Sequence, residues 1–274
     1  KAANQGYAGA QFNLALMYAQ GDGVRQDYHK AFEWFTKAAN QGLAEAQFSL
    51  GVMYDEGQGV RQDYYKAVEW YTKAANQGYA GAQFNLALMY AQGDGVRQDY
   101  HKAFEWFTKA ANQGLAEAQF SLGVMYDEGQ GVRQDYYKAV EWYTKAANQG
   151  YAGAQFNLAL MYYEGQGVRQ DDQEAVEWYT KAAGQGHAEA QYNLGVMYYE
   201  GQGVRQDYHK AVEWFTKAAN QGFAQAQNNL GVMYDEGQGV RQNIATAKIY
   251  YGQACDHGLQ KGCDNYRLLH QQGH

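Results

Sequence analysis

Between residues 44 and 79 the apolar positions keep helical time in two stretches, separated by a gap rich in glycine. In AEAQFSLGVMYDE, residues 44–56, Ala46, Leu50 and Tyr54 fall four apart with good helix formers between them, which predicts a helix with that face inward. Gly57 and Gly59 follow, the residues that tolerate the positive φ of a helix end and a tight turn. Asp63 stands where an N-cap acceptor belongs, and YYKAVEWYTKAAN, residues 64–76, carries Ala67, Trp70, Tyr71 and Ala74 as the apolar stripe of a second helix. Glu69 precedes Lys73 by four, the orientation that favours an exposed ion pair. Gly78 stops the second helix, and the next first helix begins at once.

The same pattern returns every 36 residues, with first helices opening at Ala8, Ala44, Ala80, Ala116, Ala152, Ala188 and Ala224. Residues 1–90 are identical to residues 73–162, so the chain has either duplicated very recently or been assembled from copied modules. A period of this length signals a repeat array, in which no hairpin buries enough apolar surface alone and stacking builds the core. The expectation is one all-α domain over 1–274, an α/α superhelical solenoid of helix-turn-helix repeats. It comprises the tail of a preceding unit (1–7), seven repeats (8–259) and a C-terminal capping helix (260–274).

Composition narrows the function. The 274 residues include 33 glycines and no proline, so glycine does all the stopping and turning. The mean hydropathy of -0.69 and the lack of a long apolar run exclude a helical membrane span. A formal net charge of -7 argues against nucleic acid as a partner. Arginine does recur once per unit, from Arg25 and Arg61 to Arg241, and is expected to pair with loop acids such as Asp55, Glu56 or Asp63.

The 36-residue unit, with its Gly57-x-Gly59 turn, Ala67, Trp70 and the KAA ending, resembles the Sel-one-like repeat, a relative of the tetratricopeptide repeat. The resemblance covers essentially the whole chain. It implies adaptor proteins, bacterial and eukaryotic, that hold other proteins on the inner face of a solenoid. It also implies, through the cysteine-rich exported branch of the family, a disulfide between Cys255 and Cys263. On the residues alone these two cysteines, flanking one helix junction, are compatible with a bridge, with buried free thiols or with a zinc site near His257. A bridge would place the chain in the bacterial periplasm or outside the cell, with the targeting segment not in this chain. Some cysteine-rich relatives are linked to cell-wall or β-lactam binding, so the alternative is an exported binding protein of that kind with weak hydrolase activity.

Several tempting motifs dissolve under inspection. The Gly-x-Gly turns follow no strand and lack the third glycine of a dinucleotide fingerprint. DEGQG lacks the alternating oxygen ligands of a calcium loop. His29, His101 and His209 occupy one repeat position that Tyr65, Tyr137 and Gln173 fill elsewhere, which marks them as solvated surface residues. The tryptophans from Trp34 to Trp214 are read as core. No nucleophile, base and orienting group form one constellation, so the chain is not read as an enzyme, and neither a cofactor nor a metal is expected.

The units differ on the opposite face of the first helix. Gly9 becomes Glu45, Asn13 becomes Ser49, Leu16 becomes Val52 and Gln20 becomes Glu56. A solenoid can vary its inner face without disturbing its core, so a protein or peptide partner is expected there. Its aromatic anchors are Phe12, Phe48, Phe84, Phe120, Phe156 and Tyr192, since aromatic side chains dominate interface energies. Beside them stand Asn13, Leu16, Glu45, Ser49, Val52, Asn85, Ser121, Asn157 and Asn193. The competing reading of the Phe row is partial burial between stacked first helices.

Overall fold

The computed structural model describes residues 2–273, and the contacts divide the chain into two compact units, Lys1–Asp135 and Tyr136–His274. The first unit holds a short 3-10 turn, Ala3–Gln5, and seven helices: α1 (Ala8–Gln20), α2 (Tyr28–Asn40), α3 (Ala44–Glu56), α4 (Tyr64–Asn76), α5 (Ala80–Gln92), α6 (Tyr100–Asn112) and α7 (Ala116–Glu128). The second holds α8 (Tyr136–Asn148), α9 (Ala152–Glu164), α10 (Asp172–Gly184), α11 (Ala188–Glu200), α12 (Tyr208–Asn220), α13 (Ala224–Glu236), α14 (Ile244–Asp256) and α15 (Gln260–Gln271). Within each unit, helices adjacent in sequence pack on one another. The fold is an α/α solenoid of paired helix-turn-helix repeats.

Each turn has a local cause. Gly57 ends α3 at φ 72°, and its N–H and that of Gln58 both donate to the Met53 carbonyl. Asp63 N–H then donates to Tyr54 O at 2.9 Å, which folds the loop back. The Asp63 carboxylate accepts from Lys66 N at 3.1 Å, capping α4 as expected from sequence. At the far end Gly78 takes φ 90° while Tyr79 N–H donates to Ala74 O, and α5 starts at the next residue.

The core forms between repeats. Ala31, Phe35, Ala38 and Ala39 of α2 meet Ala46, Leu50 and Met53 of α3, and Ala67, Tyr71 and Ala74 of α4 meet Ala82, Leu86 and Met89 of α5. The same arrangement joins α10 to α11 and α12 to α13. Fully buried alanines let the helices approach closely, and one large side chain per helix fills the remaining space. The two helices of one repeat also pack on each other, with Gly51 of α3 against the Tyr71 ring of α4, so each hairpin shares its core with its neighbours.

Two side-chain rows depart from the sequence reading. The tryptophans are half-buried: Trp34 and Trp70 pack against the α2–α3 cluster, and a lysine lies over each outer face, with Lys73 Nζ 3.8 Å from the Trp70 ring centroid. Lys73 thus faces its i−3 tryptophan, while the expected i,i+4 ion pair closes at 2.8 Å between Glu141 and Lys145. The loop arginines are exposed, and none belongs to an ion pair among the described residues. Capping occupies one oxygen of Asp63, and Asp55 turns inward to accept from the Tyr71 hydroxyl at 3.1 Å.

Cys255 in the last turn of α14 and Cys263 in α15 are joined as a disulfide, their Cα atoms 4.5 Å apart. The bridge fastens the final helix to the hairpin before it.

Candidate functional site

The first helices of the first six repeats carry the residues singled out for binding, but the structure distributes them over different duties. The aromatic row is half-buried. Phe48 lies 6.0 Å from the Tyr71 ring and 5.0 Å from that of Tyr79, the residue that leads into α5. Phe12 and Phe84 meet Phe35 and Phe107 in the same way, at 5.6 and 5.5 Å. In the second unit Phe156 stacks on His187 at 4.6 Å, and Tyr192 lies 5.1 Å from Phe223. These rings are therefore partly committed to ring contacts, in each case with the second helix of their own repeat or the residue that ends it. Phe120 is likewise half-buried.

The polar members divide similarly. Ser49 Oγ donates to Glu45 O at 2.9 Å and Ser121 Oγ to Glu117 O at 2.9 Å, so these hydroxyls serve their own helices. Asn193 instead reaches the preceding helix, its Nδ2 donating to the Tyr179 hydroxyl at 3.2 Å. Asn13 and Glu45 are exposed, whereas Leu16, Val52, Asn85 and Asn157 are half-buried.

Burial raises the pKa of the tyrosines behind this face. Tyr71 is pushed far up by desolvation and then by the Asp55 charge, and Tyr179 by desolvation, with Glu164 adding to it and the Asn193 bond opposing it. Both are neutral hydroxyls at any physiological pH. Burial also raises Asp55, with the Tyr71 bond acting against it. His187 goes the other way, because desolvation disfavours its charged form while Glu189 partly compensates. Its Nδ1 accepts from Ala190 N at 3.3 Å, which requires that nitrogen to be unprotonated.

Sequence reasoning passed over a row of buried glutamines. Gln47 is 6% exposed; its Nε2 donates to Ala39 O at 3.2 Å, and its Oε1 accepts from Gln77 Nε2 at 2.7 Å. Gln11, Gln83, Gln155, Gln191 and Gln227 are buried at the equivalent place. Gln11 ties to the Ala3 carbonyl of the 3-10 turn and the others to the end of a preceding second helix, and at the last of them His257 supplies the partner, with Nδ1 2.8 Å from Gln227 Oε1. The signal was the glutamine that recurs at every period on an otherwise apolar face.

Among the described residues no group of three His, Cys, Asp or Glu side chains is placed to hold a metal ion, and no helix is long and apolar enough to cross a membrane. The exposed loop arginines line recurring open depressions; one, of about 620 Å³, is bounded by Tyr90, Arg97, Tyr100, His101 and Lys102 with Gly131 of the following turn.

Comparison with known proteins locates this arrangement. The sequence pattern described as Sel1 repeat matches residues 8–43, 44–79, 80–115, 116–151, 152–187, 188–223 and 224–259. Among solved structures the chain is similar to a protective antigen present in uropathogenic Escherichia coli strains and displaying an SLR fold, with 40% identity and a TM-score of 0.96 over 99% of this chain. It spans only 58% of that antigen's length. A Sel1 repeat protein from Oxalobacter formigenes is 38% identical, with a TM-score of 0.81 over 97% of this chain and 77% of its own. No curated protein sequence matches significantly.

Proposed function

The chain belongs to the Sel1 repeat family, and on that footing we propose that it is a binding scaffold whose first-helix face, the inner face of the solenoid, holds a protein or peptide. The observation that carries this reading is where the repeats differ. The first-helix residues that build the interfaces between repeats are constant, with Ala46, Gln47, Leu50 and Met53 recurring as Ala82, Gln83, Leu86 and Met89, while the large second-helix core residue alternates between Phe35 and Tyr71. On the first helix the changes fall at positions 45, 49, 52 and 56 and their equivalents, which remain exposed or half-buried, while on the second helix the exposed position of His29 and Tyr65 also varies. A surface free to vary without loss of fold is where a scaffold can acquire specificity. Half-exposed aromatic rings held by stacking lose little conformational freedom on binding, which makes them good anchors.

Site-specific photo-crosslinking in the cell of origin tests the assignment. A crosslinking residue at Asn13, Ser49 or Asn85 should yield one recurring partner adduct, and one at Glu33, Glu69 or Glu105 on the second helices should not. The reverse distribution removes the proposal. With the partner in hand, Phe48→Ala should weaken binding by about tenfold, the scale of one buried aromatic anchor.

We also place the protein outside the cytosol, in the periplasm or exported beyond it. The Cys255–Cys263 bridge supports this, because disulfides persist in oxidising compartments. The E. coli relative's description as a protective antigen supports it as well.

A further inference from the structure

One cavity breaks the repetition. It measures about 220 Å³ and lies between α9 and α11, below the roughly 300–1,000 Å³ of pockets for drug-sized ligands and suited to a single side chain. Tyr163, Tyr179 and Tyr192 line it together with Asn193, Met197 and Gln202. Tyr163 is also the first residue at which the copied sequence stops being copied. At the corresponding places 72 residues earlier stand Ala91, Phe107, Phe120 and Ser121, where this cavity has Tyr163, Tyr179, Tyr192 and Asn193. Its three hydroxyls and its carboxamide at 193 therefore distinguish this site from its earlier counterpart.

The polar atoms are organised. Tyr163 donates to Gln202 Oε1 at 3.3 Å, and Asn193 Nδ2 donates to the Tyr179 oxygen at 3.2 Å, which leaves the carbonyl oxygen of Asn193 as a free acceptor. No cation lines the cavity. Two acids stand at the ends of the flanking helices, Glu164 on α9 and Glu200 on α11, and neither belongs to an ion pair among the described residues. Their field reaches the pocket: Glu164 adds to the upward shift of Tyr179, and Glu200 to that of Tyr192. Electron-rich ring faces, neutral oxygen acceptors and nearby negative charge together fit a planar cation with several N–H donors.

We propose that this cavity receives an arginine side chain presented by the protein partner. The inference deepens the binding-face reading and rests on it for the identity of the docked chain. Tyr192 and Asn193 belong to that face, so a backbone lying along it would carry the guanidinium to the cavity mouth. The rings would stack on the guanidinium plane while Asn193 and Gln202 accept its hydrogens.

Titration of the full chain with N-acetyl-arginine methylamide, followed by NMR of the Asn193 and Gln202 side-chain amides, tests the proposal without a partner. Saturable shifts at both amides are expected, and the neutral isostere N-acetyl-citrulline methylamide should bind several-fold more weakly. Tyr163→Ala, which installs the residue natural at position 91, should lower affinity about tenfold. Glu164→Gln, a change at an exposed helix end, should lower it several-fold. Equal binding of the citrulline analogue, or no saturable shift, overturns the proposal. Because Phe48 lies in the other compact unit, the two readings fail separately. Partner affinity lost on Phe48→Ala without arginine binding overturns the cavity alone, and arginine binding with partner affinity indifferent to Phe48 overturns the shared face.

Discussion

Replacing Gly95 by alanine should destabilise the first compact unit much more than the same change at Gly78. Both glycines hold a left-handed backbone, at φ 65° and 90°. An alanine forced into that region costs about 1–2 kcal/mol at either position. Their surroundings differ. A Cβ on Gly78 would meet nothing within 4 Å, whereas one on Gly95 would overlap the Tyr64 carbonyl and come within 2.9 Å of Tyr65 N. Those atoms are backbone at the start of α4, so they cannot swing aside as a side chain would. The loop after α5 must retreat from the preceding repeat, and overpacking of this kind costs about 1–3 kcal/mol. The sums are about 1–2 kcal/mol for Gly78→Ala and about 2–5 kcal/mol for Gly95→Ala. Urea unfolding followed by far-UV circular dichroism measures both, with an unchanged m-value showing that the denatured state is the same. Equal losses would refute the reasoning, because Gly95 would then be a turn residue only and the close approach of adjacent repeats at this loop would carry no energy.

Two further predictions concern buried polar residues of the first helices and their lead-ins. Gln83→Leu keeps the volume and removes two hydrogen bonds, to Ala75 O at 3.2 Å and from Gln113 at 2.7 Å. At about 0.5–1.5 kcal/mol each, the loss should be about 1–3 kcal/mol, and a thermal midpoint unchanged from the parent would show that the glutamine row is not a fastening. His187 has a folded pKa below its unfolded value because burial disfavours the charged ring. The unfolded chain therefore takes up the proton first as pH falls, and stability should decline from about pH 6.5 down to the lower folded pKa. His187→Leu, which installs the residue natural at position 43, should flatten that part of the stability curve relative to the parent; coincident slopes would count against it.

The helices, their order and their bounds were legible in the sequence because a 3.6-residue apolar period, an Asp cap and a glycine stop are local signals, each written within a few residues. Repetition made them unmistakable. Where a side chain goes was less legible wherever its partner comes from another helix or loop. Phe48 reads as a surface anchor on its own helix and becomes half a stacking residue only when Tyr71 and Tyr79 arrive beside it. Gln47 drew no reading from its local pattern, yet it is buried and its amide donates to the carbonyl of Ala39 across the repeat junction. Trp70 shows the reverse, a residue read as core that keeps one face outward under Lys73. Arg61 was expected to find an acid in its loop, and the backbone instead spends Asp63 on a helix cap. The cavity at Tyr163 belongs to no single repeat: residues of the first helices α9 and α11 line it together with Tyr179 of the second helix between them. The sequence by itself determined the unit and its repetition, since those depend on contacts near in the chain. Only the tertiary structure decided which polar and aromatic groups are buried between helices and which stay at the surface, because packing brings together residues of different helices that no local pattern pairs.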